Sequence, residues 1–204
     1  AGTTGVSGHL QFTTGTTSSG TAGVIALTSG NAATTTGRSG HIRVVSGTSS
    51  TADAGGKIEI FASHSSHETG GSIFVTSGVA PPSSSGAVVV HSTNAGTLGS
   101  SGSMRFSTGI TTSGSSGKIL FSTGNSFGGG KAGSMLFSVG SGDSLTGGDI
   151  RVLAGTTSST TGGSISLSTG AGSSKSSGAV VMSTSNAGTT GVSGHLQFTT
   201  GTTS

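Results

Sequence analysis

Gly8-His9-Leu10-Gln11-Phe12-Thr13-Thr14-Gly15 sets the reading of this chain. A glycine is followed at two-residue spacing by two large apolar side chains, then by a hydroxyl residue and a second glycine. The pattern returns at a nearly constant interval, with its leading glycine at Gly8, Gly23, Gly40, Gly56, Gly71, Gly86, Gly102, Gly117, Gly133, Gly148, Gly163, Gly178 and Gly194. A period of this kind marks a repeat array, in which each unit is too small to bury an apolar face alone and relies on its neighbours.

Two positions after each anchor stand Leu10, Ile25, Ile42, Ile58, Ile73, Val88, Met104, Ile119, Met135, Ile150, Ile165, Val180 and Leu196. Four positions after it stand Phe12, Leu27, Val44, Ile60, Val75, Val90, Phe106, Phe121, Phe137, Val152, Leu167, Met182 and Phe198. Apolar alternation at period two, rich in β-branched and aromatic residues and bounded by glycine, predicts a short strand with one buried face. These two columns form the expected structural core. Between them run segments of Gly, Ser and Thr such as Thr16 to Ala22, suited to turning a corner.

The expected fold is therefore all-β, a β-solenoid of stacked coils built from strand-turn repeats of roughly 15–17 residues each. Two repeats per coil are favoured because two facing sheets bury more apolar surface; one repeat per coil is the alternative. A larger period lies above the short one, since residues 86–96 match residues 178–188 at an offset of 92. Residues 187–204, AGTTGVSGHLQFTTGTTS, repeat residues 1–18 without a change at an offset of 186. The whole of 1–204 thus reads as one continuous array: 1–186 is one long period of two units of about 93 residues with six short repeats each, and 187–204 opens the next. Neither end need be a true terminus.

Composition narrows the function classes. With 41 glycines, 6% charged residues and no cysteine among 204 residues, thiolate metal sites and disulfides are out of reach. A net charge of +3 spread over separate repeats makes no basic patch of the kind that holds nucleic acid. No apolar run is long enough for a membrane span.

Three short motifs invite chemistry. His64-Ser-Ser-His67-Glu68 offers two imidazoles and a carboxylate, yet it occurs in one arc, and a metal site needs three or four convergent ligands. Gly140-Ser-Gly-Asp143 with Asp149 is a single, imperfect likeness to a calcium-binding nonapeptide that works by repetition. Gly128-Gly-Gly-Lys131-Ala132 has alanine where a phosphate loop needs Ser or Thr. No metal, cofactor or catalytic residue is assigned, and the chain is not expected to be an enzyme. Asn31, Asn94, Asn125 and Asn186 lie outside N-glycosylation sequons, which leaves O-linked glycans as the sugars the Ser/Thr-rich arcs would accept.

Outward strand positions carry apolar residues that suggest lateral contact between arrays: Val24 with Ala26, Ala87 with Val89, Ala179 with Val181, and Phe74, Leu120 and Leu136. Gly162-Gly-Ser-Ile-Ser-Leu-Ser-Thr-Gly170 and its counterparts along the chain resemble the Gly/Ser/Thr-rich GGSIxLxSG repeat proteins of extracellular matrices and surface fibres. That resemblance implies a β-solenoid and a structural role, and it carries over no catalytic residue. The expectation is an extracellular or cell-surface fibre protein whose partner is itself, through end-to-end continuation and lateral packing. A binding module, such as an adhesin stalk or an ice-binding solenoid, is the alternative.

Overall fold

The computed structural model describes residues 8–33, 37–49, 54–81, 83–143 and 146–202. Among these residues there is neither helix nor β-strand. The expected all-β solenoid is therefore incorrect, and the choice between one and two repeats per coil falls with it. A strand exists through the ladder of hydrogen bonds to its neighbour, and among the described residues no such ladder forms along the two apolar columns.

What forms instead is a series of closed arcs. The chain groups into two units, Ala1–Arg105 and Phe106–Ser204. In the first, the anchor N–H of Gly40 donates to the Gly30 carbonyl, Gly56 to Gly47, Gly71 to Ser63 and Gly86 to Gly78, with N···O distances of 2.8 to 3.1 Å. In the second, Gly163 donates to Gly155 at 2.9 Å and Gly178 to Gly170 at 3.0 Å. Every acceptor occupies the same place in its repeat, so one hydrogen bond pins the two ends of a connecting arc together. These are small Ω-type loops, pinned at the neck and open along the rest of their length.

Crowding accounts for some of the anchor glycines, whereas at Gly8, Gly86, Gly102 and Gly194 a Cβ would meet nothing closer than 3.5 Å. A Cβ on Gly40 would stand 3.0 Å from Ser29 Cβ, and one on Gly148 would stand 2.7 Å from Val139 Cγ1. In both cases the neighbour holds the same place in the preceding repeat, so the neck is a close crossing that leaves no room for a side chain. Hydroxyls at the same place reinforce it. Ser29 Oγ donates to the Gly40 carbonyl at 2.9 Å, and Thr14 Oγ1 to the Gly23 carbonyl at 3.3 Å.

Outside the necks almost nothing is covered. Among the described residues none is buried, and only Ser46, Ser65 and Ala154 are half-buried. Two of these three, Ser46 and Ala154, stand at necks, facing Gly56 and Gly163. The accessible surface is 20396 Å² for 19.1 kDa, where a compact monomer of that mass exposes about 8,400 Å² and a fully unfolded chain about 27,700 Å². The physical reason is supply. Two apolar side chains per repeat are too few to offset the backbone entropy of about fifteen residues, a fifth of them glycine.

Candidate functional site

The two apolar columns lie on the surface. The first column is the better covered: Ile58 is 52% exposed, and most of its members, Ile25, Ile42, Ile73, Val88, Met104, Ile119, Met135, Ile165, Val180 and Leu196, stand close to that value. Leu10 and Ile150 are more open. The second column is generally more exposed, through Phe12, Leu27, Val44, Ile60, Val75, Val90, Phe106, Phe121, Phe137, Val152, Leu167 and Phe198, with Met182 the least so. The positions expected at a lateral contact are more open still, from Leu120 at 71% to Phe74 at 88%, with Val24, Val89, Leu136 and Val181 between them. Ala26, Ala87 and Ala179 are exposed as well. The alternation written in the sequence thus persists as a gradient of cover, without any side reaching burial.

Within the second unit, Phe106 and Phe121 meet edge to face, with ring centroids 6.3 Å apart and planes at 87°. They occupy the same place in consecutive repeats. Edge-to-face pairing sets the positive rim of one ring on the negative face of the other, which favours this geometry over a stacked sandwich.

The arcs organise their own hydroxyls. Thr17 Oγ1 donates to the Ser19 carbonyl at 2.9 Å, and Thr111 Oγ1 to the Ser113 carbonyl at 2.9 Å. The N–H groups of Ser113 and Ser159 donate to Thr111 Oγ1 and Thr157 Oγ1. All three threonines stand at the same distance from an arc's first glycine, so Gly-x-Thr-x-Ser is a recurring turn motif. That spacing was readable in the sequence, but the motif is hidden where hydroxyl residues are this dense. In two of the arcs the turn continues into a glycine with positive φ, Gly20 at 114° and Gly114 at 102°.

Sequence reasoning also missed apolar residues outside the two columns. Val45, Phe61 and Leu153 follow the second column directly, and Leu98, Ile110 and Val192 stand almost wholly exposed on arcs. They break the picture of arcs made only of small polar residues.

The three chemical motifs hold local bonds. In His64-Ser-Ser-His67-Glu68, Ser66 Oγ lies 2.8 Å from His67 Nδ1, and the Glu68 N–H donates to Ser65 Oγ at 3.0 Å. Among the described residues no three His, Cys, Asp or Glu side chains come together, whether around His64 or around Asp143 and Asp149. Ser144 and Leu145, between those two aspartates, lie outside the described residues. Gly128 and Gly129 both take positive φ ahead of Lys131, as a two-glycine turn. Lys57 and Glu59 pair at 2.9 Å within one repeat. The described residues enclose no cavity, and no helix among them is long and apolar enough to cross a membrane.

Comparison with family models, with curated proteins and with solved structures finds no match for this chain.

Proposed function

We propose that this chain is a non-enzymatic structural protein of an extracellular or cell-surface fibre, and that it acts by assembling with further copies of itself. One observation carries the reading: both apolar columns stay exposed along the array, so their burial has to come from outside the chain. Exposed apolar surface on this scale marks a site of association. The arcs are rich in hydroxyls and form the water-facing part of the repeat, and a backbone bond across the neck holds the spacing of those that end at Gly40, Gly56, Gly71, Gly86, Gly163 and Gly178. O-linked glycans on these hydroxyls belong to the same reading. The likeness of Gly162 to Gly170 to the repeats of matrix and surface-fibre proteins supports a structural role.

The test is sedimentation velocity across a dilution series, with electron microscopy of the most concentrated sample. The expected result is growth with concentration into elongated particles. A chain that stays monomeric at every concentration overturns the proposal.

A further inference from the structure

The two units carry opposite charge on their most aromatic stretches. Residues 58–75, in the first unit, contain Glu59 and Glu68 and no lysine or arginine. Lys57, just ahead of them, pairs with Glu59, but both are open to solvent at 78% and 48%, and the pair is exposed to screening. Glu68 makes no ion pair among the described residues. Residues 106–142, in the second unit, contain Lys118 and Lys131 and no carboxylate, and neither lysine is paired among the described residues. Both stretches expose large rings, Phe61 and Phe74 in the acidic one and Phe106, Phe121, Phe127 and Phe137 in the basic one.

We propose that these stretches are the two halves of one head-to-tail contact, in which the stretch of one copy that carries Lys118 and Lys131 docks on the stretch of a second copy that carries Glu59 and Glu68. The inference rests on the reading of the chain as a self-assembling structural protein and names the surfaces that do it. Three features select a second copy as the occupant. The charges are complementary, and steering of this kind fixes which surfaces meet and in what register. The apolar positions match in spacing, since Ile60 and Val75 are separated by the same length of chain as Phe106 and Phe121. Aromatic side chains bury about 150–250 Å² each, so the four rings of the basic stretch with Leu120 and Leu136 supply much of the about 800 Å² per partner that a stable interface needs. Because the two halves differ, each docked copy leaves one half free. Such a heterologous contact propagates as an open filament unless its rotation closes a ring.

Charge exchange tests this directly. Two variants of the full chain, K118E/K131E and E59K/E68K, are compared with the unaltered chain by sedimentation velocity over a dilution series at low salt. Each variant alone is expected to need about tenfold higher concentration to assemble, because two exposed attractions become repulsions. An equimolar mixture should recover the original concentration dependence, since the acidic-patch reversal of one variant complements the basic-patch reversal of the other and the copies alternate. High salt should weaken the recovery. K175E, outside both stretches, should assemble as the unaltered chain does.

If either double variant alone assembles like the original, or the mixture shows no recovery, the inference is overturned while self-assembly stands. If the unaltered chain sediments independently of concentration, both the inference and the assembly reading are overturned.

Discussion

Phe106 and Phe121 meet edge to face at 6.3 Å, which brings equivalent positions of consecutive repeats into contact. Both rings remain more than half exposed, at 62% and 58%. The pair is therefore held by ring geometry more than by burial, and its contribution falls at the low end of about 0.5–1.5 kcal/mol. Phe106→Leu keeps the apolar bulk and removes the ring. The expected outcome is loss of the ring-current shift on Phe121 in the NMR spectrum of the dilute chain, with the amides of the distant Gly163 and Gly178 necks unmoved. An unchanged Phe121 spectrum would mean that the rings do not meet in solution.

The neck bonds predict a pattern of amide protection that irregular chains do not otherwise show. Gly40, Gly56, Gly71, Gly86, Gly163 and Gly178 donate their N–H across a neck, whereas Gly15, Gly124 and Gly140 donate to no backbone acceptor among the described residues. A net contribution of about 0.5–1.5 kcal/mol per hydrogen bond slows exchange by about 2- to 12-fold. Residue-resolved hydrogen exchange should separate the two sets of glycines by that margin. Uniform exchange rates across both sets would show that the arcs are open.

How much of this was legible in the sequence can be judged at Gly40 and Ile42. The period that places a glycine at 40 and an apolar residue at 42 was plain, and both the arcs and the gradient of exposure follow it. The step from alternation to strand failed at Ile42 and at every equivalent residue. Period-two spacing records which side a residue faces, but a strand also requires a neighbouring backbone within hydrogen-bonding distance, and one sequence does not reveal where that neighbour is. The apolar surface of each repeat was assigned to an internal core that the chain does not form. Thr111 was missed for the opposite reason: its turn is local and specified by its immediate neighbours, but it sits among so many hydroxyls that nothing distinguished it.

Gly114 tests the local part of that account. Its φ of 102° lies in a region that disfavours any side chain, and it follows the Thr111 turn directly. Gly114→Ala introduces about 1–3 kcal/mol of backbone strain, more than the turn's hydrogen bond returns. The bond from the Ser113 N–H to Thr111 Oγ1 should open, seen as a steeper temperature dependence of the Ser113 amide shift. Gly20→Ala should likewise release the bond that Thr17 Oγ1 donates to the Ser19 carbonyl. Thr160, which takes the corresponding place in the arc from Gly155 to Gly163 and has no positive φ, should accept alanine without effect on Ser159.

Ile73 separates a chain that assembles from one with a hidden core. In a packed interior, Ile→Ala removes about 2–5 kcal/mol. Here the side chain is already half exposed, so the dilute chain has little to lose. Ile73→Ala should leave the protection of the Gly71 and Gly86 amides, which flank it at two successive necks, within about twofold of the original. The far-UV circular dichroism of the dilute chain should be that of an irregular polypeptide before and after the change. At high concentration the same substitution should weaken assembly, because the side chain then loses contacts with another copy. Loss of neck protection in the dilute variant would instead place Ile73 in an internal core, and the source of the array's stability would lie within the single chain.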